Sequence, residues 1–464
     1  MFAAVLMAVL IYRTPPDVRL YWEYGGRLLG RAYVPGYTDW VQHSIGQPLP
    51  LADAVALPAR APYSDFHCEY PPGALLLFGL VRAVADDPTA YGYVFGTAMA
   101  LMMLATAHLA GRLAFRLGGM TGAPLWAASA AIAVLPLLIG GLLVRRFDVV
   151  PAFLAVAGVS LALAGRPGAA GAALGLGGAV KLWPALLVPL IALQLWRRGS
   201  RDEALLCVVA GALAILAPHA GAIALGTHPA DVLGYLAYLR DRPVQIESVI
   251  GIAKVIAAAI GGEPLTISHD FGSDNILWAG DRAWLRAATV VNVFALLGTA
   301  LLLWVRSREG ATQTASLRLL LAASGAVVAA MALCSRVFSG EYLIWFLPFA
   351  LALAGQRFGL TALVAFVASC AALRTSYHFW DALVAFRWSG VLPCAVKNLC
   401  LAITGIAFAA MLTGGDEARL RRRRDGSAEA CFPGEAAHIT VAGEKSDVKR
   451  DGASCVRDVR ALPY

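Results

Sequence analysis

The stretch YSDFHCEYPPGALLLF, Tyr63 to Phe78, runs Asp65, His67, Cys68 and Glu69 straight into a double proline and then a purely apolar segment. A carboxylate so placed can take a proton from an attacking hydroxyl. Cations occur in equally unusual settings. Arg145 and Arg146 follow the apolar run 122–144, and Lys181 stands between two apolar halves in GAVKLWP. Arginine suits two-pronged contact with a phosphate, and an ionisable group inside apolar sequence defaults to a functional reading. Plainer readings stand beside these. Asp65 and Glu69 could be solvated or paired with Arg60 and Arg82, His67 could be a solvated loop residue, and Lys181 could snorkel to the surface.

The elements that must position these groups follow from composition. The chain has 464 residues, 59% hydrophobic and 15% charged, with mean hydropathy +0.67. A soluble protein of this size carries about a quarter charged residues. Apolar runs such as Ala123–Val144 and Ala204–Leu225 reach the roughly 20 residues that cross a bilayer. Lipid forces each backbone polar group to find its partner within its own helix, so the spans are helices. The expected fold is all-α, a polytopic membrane protein of about twelve spans.

The expected spans are 1–12, 90–117, 122–144, 149–165, 168–180, 183–196, 203–225, 284–305, 316–336, 342–355, 359–376 and 389–413. Alternate ends then carry Arg112 and Arg116, Arg166, Arg197, Arg198 and Arg201, Arg306 and Arg308, Arg357, and RLRRRR at 419–424. The positive-inside rule puts these ends in the cytoplasm, with both termini. Run 1–12 is short for a span, so the true start could lie upstream of Met1. It has neither a basic leader nor a small-residue cleavage site. The pair 168–180 and 183–196 could be half-helices meeting at VKLWP. Residues 1–415 read as the membrane domain, with outer loops 13–89 and 226–283, and 416–464 as a disordered, basic cytoplasmic tail. Residues 17–30 and Pro71–Ala85 read as helices lying on the outer surface.

Other classes are disfavoured. The net charge of +8 is spread over loops and one tail, so nucleic acid is not an expected partner. The glycine-rich GAAGAALGLGG at 168–178 follows no strand and reads as close helix packing, not as a nucleotide fingerprint. The eight cysteines show no zinc or redox spacing; Cys207, Cys334, Cys370, Cys394 and Cys400 read as small buried apolar groups, and Cys68 alone sits in a polar stretch.

In order along the chain stand DVRLYWEYGGRLL, YSDFHCEYPPGALLLF, RRFDVVPAFLAVAG, GAVKLWPALLVPL, RDRPVQIESVIG, SHDFGSDNILW and FSGEYLIWFLP. This arrangement resembles the polyprenol-phosphate-sugar-dependent glycosyltransferases of the GT-C fold. It is most similar to glycosyltransferase family 87, an actinobacterial mannosyltransferase-like group, over roughly residues 10–410. The resemblance implies a membrane enzyme of the cell envelope. It would pass a hexose, mannose foremost, from a polyprenyl-phosphate sugar to a glycolipid or polysaccharide acceptor on the extracytoplasmic side. The lipid-linked donor is a substrate, so no cofactor is implied, and no metal ligand set is expected.

The resemblance also distributes roles. Inverting transfer needs a carboxylate base, and Asp17 matches the family's catalytic position; Glu69 and Asp65 are its rivals, and a helix cap is the plainer reading of Asp17. Arg145, Arg146, Lys181 and Arg242 are the candidate phosphate ligands. Tyr21, Asp65, His67, Tyr70, Gln245, Ser248, Ser273, Glu341 and Tyr342 are the candidate substrate contacts, although outer aromatics are usually interface anchors. Asp148 reads as a partner for one of the two arginines. A transporter or flippase of envelope precursors is the alternative, but it predicts similar halves and mid-membrane charges, and neither is evident. A non-catalytic assembly or polymer-ligating membrane protein is a third.

Overall fold

The computed structural model describes residues 16–31, 61–307 and 312–413. Expectations that fall elsewhere, on span 1–12 and on the tail 416–464, lie outside the described residues. Helix α1 (Pro16–Leu28) is followed by α2 (Pro72–Val84), α3 (Pro88–Arg116), α4 (Ala123–Arg145), α5 (Val149–Leu163) and α6 (Pro167–Val180). A 3-10 turn at Trp183–Leu186 leads into α7 (Leu187–Arg197), then α8 (Arg201–Ala224) and α9 (Gly234–Asp241). A small sheet and α10 (Val249–Gly261) precede α11 (Asp281–Arg306) and α12 (Gln313–Leu333). The chain continues through a 3-10 turn at Gly340–Tyr342, α13 (Leu343–Leu353), α14 (Gly359–His378), α15 (Trp380–Val384) and α16 (Trp388–Thr413).

Seven helices, α3, α4, α8, α11, α12, α14 and α16, are long and apolar enough to cross a membrane among the described residues. The protein is an all-α polytopic membrane protein in these terms. Four further expected spans, 149–165, 168–180, 183–196 and 342–355, occur as helices of 11–15 residues. Their shortness has a geometric consequence. Their inner ends are level with those of the long helices: Gln313 donates to the Leu163 carbonyl at 2.7 Å, Gln194 to that of Ser316 at 2.9 Å, and Gln356 to that of Leu117 at 3.4 Å. These contacts set the ends next to Arg166 and Arg197 beside the start of α12, and the end next to Arg357 beside that of α3. At about 1.5 Å per residue, a 15-residue helix is roughly 22 Å long against roughly 30 Å of hydrocarbon. The opposite ends of α5, α6 and α13 lie beside the bent end of α4, and the region they share, with Asp148, Lys181 and Glu341 at the helix tips, is the candidate recess.

Small residues close the packing around that recess. A Cβ on Gly171 would lie 2.0 Å from the Cys207 carbonyl oxygen, and one on Gly175 2.2 Å from that of Gly211, so α6 and α8 run in backbone contact. A Cβ on Gly73 would meet the Ala179 carbonyl at 2.6 Å. That contact draws the start of α2, with Glu69 and Tyr70 just before it, onto the end of α6. Pro136 interrupts α4, and a non-helical residue, Ile139, bends its last turns toward Arg146.

As one of the sequence alternatives had it, α6 ends at Val180 and α7 turns back from a 3-10 segment, so VKLWP is the apex of two short arms. One feature goes beyond the sequence reading: loop 226–283 holds a three-stranded antiparallel sheet, β1 (Val244–Gln245), β2 (Thr266–Asp270) and β3 (Ser273–Leu277), in the order β1-β3-β2. Its hairpin turns on Phe271 and Gly272, both at positive φ (53° and 65°), which matches the right-handed strand twist. Sheet and α10 share an apolar cluster, including Val244, Ile246, Ile250 and Ile276, with Val391 and Cys394 of α16.

The backbone contact between α6 and α8 sets a prediction. Gly171→Val should cost on the order of 1–3 kcal/mol by overpacking and lower the thermal unfolding midpoint of the purified protein by several degrees. Gly111→Val, where nothing lies within 4 Å of an added Cβ, should leave the midpoint within a degree of the parent in the same fluorimetric scan.

Candidate active site

The recess collects charges that an apolar surrounding leaves no choice but to pair. At the bent end of α4, Arg146 reaches Asp17 in the first turn of α1 at 2.8 Å. On its other side it faces Glu341 at 3.8 Å, and Glu341 also accepts from Ser339. Asp17 is therefore more than a helix cap. It is half-buried, with a third of its side chain exposed, whereas Glu341 is 8% exposed. Burial pushes the Asp17 carboxyl above its ordinary range, and Arg146 pulls it back. Tyr21, one helical turn on, is buried beneath Arg146 and stacks on Phe78 at 4.4 Å.

One step further in, Lys181 binds Asp148 at 2.6 Å. The sequence reading paired Asp148 with an arginine; its partner is Lys181, because the break after α6 turns that side chain toward the start of α5. Trp345 donates its indole N–H to the same Asp148 oxygen at 2.7 Å. The ammonium sits over three rings: Phe147 at 5.3 Å, Tyr342 at 4.8 Å and Trp345 at 5.2 Å. Tyr342 stacks on Trp345 at 4.0 Å, and Trp183 stacks on its far side at 5.5 Å. Lys181 does not snorkel away: it is fixed at the end of a short helix by a carboxylate and a ring of aromatics.

A third cation, Arg242, follows α9 and donates to Ser273 at 3.0 Å. It shares electrostatic surroundings with Glu69, Tyr70, Tyr238 and Tyr342. Tyr70 meets Phe147 edge-on at 4.9 Å, which joins this group to the Lys181 ring cage. His67 lies against Tyr238, centroids 5.6 Å apart. Gln245 is buried and donates to Glu247 at 3.1 Å. Glu247 in turn accepts from Lys397 of α16 at 3.4 Å, within electrostatic reach of Glu341 and Arg146.

The candidate residues therefore divide. Asp17, Tyr21, Glu69, Tyr70, Arg146, Lys181, Arg242, Ser273, Glu341 and Tyr342 come to one face of the recess, with His67 and Gln245 at its edge. Three do not join them. Arg145 turns back along α4 toward Gly141. Asp65 is exposed and accepts from the Ala61 amide at 2.8 Å. Ser248 caps α10, accepting from the Gly251 amide at 2.9 Å. Cys68 is fully buried rather than polar-facing, and burial pushes its thiol up, so it behaves as a packed apolar group. Among the described residues no three His, Cys, Asp or Glu side chains converge as a metal site.

The sequence reading gave too little weight to Asp148, Trp345, Tyr238 and Lys397. A signal existed for three of them. Asp148 is an acid directly after an apolar run that ends in two arginines, Trp345 lies one helical turn from Tyr342, and Lys397 is an ionisable group inside the apolar run 389–413. Nothing local in the sequence points to Tyr238.

Glu247 yields a pH prediction. Burial raises its carboxyl from 4.5 to about 7, against the pull of Lys397. A raised acid favours the fold while protonated, so that contribution is whole below pH 4.5 and is lost as pH climbs through about 7. Relative to the parent, Glu247→Gln should show a flatter thermal midpoint between those limits. Parallel curves for the two proteins would contradict the assignment.

No curated protein matches this chain. The sequence model of glycosyltransferase family 87 matches residues 66–336, more than half of the chain, and takes in Glu69, Arg146, Asp148, Lys181 and Arg242. A family of sugar-transferring enzymes fits a site that pairs a half-buried carboxylate with fixed cations, and the chain belongs to glycosyltransferase family 87.

Proposed function

We propose that this glycosyltransferase has the GT-C architecture. In this reading it moves a hexose, mannose foremost, from a polyprenyl-phosphate sugar to a hydroxyl of a glycolipid or polysaccharide, inverting the anomeric centre. The observation that carries the proposal is the Asp17–Arg146 pair, set beside Lys181 in a recess at the ends of shortened helices. A lipid phosphate needs cations below the water surface, and an acceptor hydroxyl needs a base that water still reaches. Lys181 is 17% exposed and Asp17 33%, which suits those two roles.

The steps follow from the pairing. The donor phosphate takes a place on Arg146 and Lys181 and displaces the Asp17 carboxylate from Arg146. Asp17, freed in a partly desolvated site, becomes a stronger base. It takes the acceptor proton as the acceptor oxygen forms its bond to the anomeric carbon. The bond from that carbon to the phosphate oxygen breaks, and its electron pair leaves with the lipid phosphate onto the two cations. Glu341 holds Arg146 in place throughout. The arginine-bearing helix ends would face the cytoplasm, with both termini, and the recess the outside of the cell membrane. No cofactor takes part, since fixed side chains neutralise the leaving phosphate.

Membranes supplied with labelled polyprenyl-phosphate mannose test this reading. Asp17→Asn should lower turnover at least 100-fold, within the range of general-base loss, with donor affinity kept. Lys181→Ala and Arg146→Ala should weaken donor binding at least tenfold. Near-normal turnover in Asp17→Asn removes it as base. Chelation of divalent ions should leave the rate within about twofold, and a larger loss would put a metal in the phosphate's path.

A further inference from the structure

Around Glu69 the structure leaves buried polar atoms unused. Tyr24 Oη, His67 Nε2 and Arg242 Nε are each buried and find no hydrogen-bond partner among the described residues. All three groups lie within electrostatic reach of Glu69. Tyr70 and Tyr238 also lie within electrostatic reach of its carboxylate. A folded chain rarely buries several unpaired donors and acceptors side by side, because each costs the desolvation it is never repaid. A ligand bearing several hydroxyls would satisfy them together.

The walls are aromatic. Tyr238 lies between His67 and Phe271, with centroids at 5.6 and 5.1 Å, and Arg242 stands over its ring at 5.9 Å. Both flanking loops carry a bulky residue at positive φ. Phe271 has φ 53° and its carbonyl accepts from the Tyr238 hydroxyl at 3.0 Å. Tyr63 has φ 65° and donates to the Tyr70 carbonyl at 2.7 Å. Positive φ at bulky residues costs on the order of 1–3 kcal/mol and is kept where the surroundings require it. Burial also pushes the His67 imidazole down, so it is neutral near pH 7 and can either give or accept a hydrogen bond.

We propose that Glu69, with Tyr24, His67, Tyr238 and Arg242, is a carbohydrate subsite that holds the pyranose of the acceptor, separate from the phosphate site at Arg146 and Lys181. This rests on the transfer reaction above. Glu69 accepts from hydroxyls of the sugar, the aromatic rings cover its apolar face, and Arg242 closes the far side. Asp17, within electrostatic reach of Glu69, then lies at the edge where the attacking hydroxyl emerges. Glu69 is a binding residue here, not a rival base.

The full chain in lipid nanodiscs, free of glycosidic detergent, provides the test. Octyl glycosides of gluco, manno and galacto configuration serve as acceptor stand-ins, read by tryptophan fluorescence; sugar-free polyprenyl phosphate and polyprenyl-phosphate mannose report the other site. At least one octyl glycoside should bind the parent. Glu69→Gln and Tyr238→Ala should each weaken it at least tenfold, with both polyprenyl ligands unchanged and the thermal midpoint of Glu69→Gln retained. No glycoside binding by the parent, or equal binding by parent and Glu69→Gln, overturns the subsite. Weakened binding of polyprenyl-phosphate mannose but not of polyprenyl phosphate gives the subsite to the donor's sugar and overturns the acceptor assignment. Failure of polyprenyl phosphate to bind the parent instead refutes the donor reading, a separate result.

Discussion

Charge without water must find charge, and in this protein that constraint acts at the tips of short helices. Because the tips of the short helices α5, α6 and α13 lie side by side, the residues there are ionisable yet shielded. Asp148 and Lys181 meet there, and Arg146 is held between Asp17 and Glu341. Removing one partner of such a buried pair leaves an uncompensated charge worth about 3–5 kcal/mol. The pairs are therefore structural commitments as well as chemical equipment.

The same arrangement sorts the charged groups by how far water reaches them. Its cations lie deep, at helix tips flanked by aromatic rings that exclude water and strengthen electrostatic contact. Its most exposed carboxylate, Asp17, is carried by α1, a helix outside the set of candidate spans. The loops that complete the wall are tied to the bundle from the far side. Lys397 of α16 donates to the Glu247 carbonyl at 2.9 Å, and Arg336 donates to the carbonyls of Arg240 and Arg242 at 2.6 and 3.1 Å. The segment bearing Arg242 is thus strapped down between two cations that are themselves spoken for.

Much of this was legible beforehand. Apolar run length gave the helices among the described residues at nearly their observed bounds. The glycine-rich run 168–178 read as packing, and Gly171 and Gly175 lie in backbone contact with α8. Lys181 and Arg146 stood out because ionisable groups in apolar sequence need a reason. Ser248 was misjudged as a ligand candidate because a side-chain oxygen before a helix is more often a cap. The hairpin on Phe271–Gly272 escaped notice because a phenylalanine at positive φ has no sequence signature.

Sequence by itself determined the solvent of each segment, since lipid and water sort side chains by composition and length, a property each segment carries alone. It also determined which residues could carry charge into the apolar zone. Partnership was decided by the tertiary structure: Asp148 lies 33 residues from Lys181 and 197 from Trp345, and no local pattern specifies such pairs. Only the packing of α6 against α5 and α8, with the bend in α4, sets which charges face one another. Pairing energy depends on distances of a few ångström between helices, and those exist only once the bundle has formed.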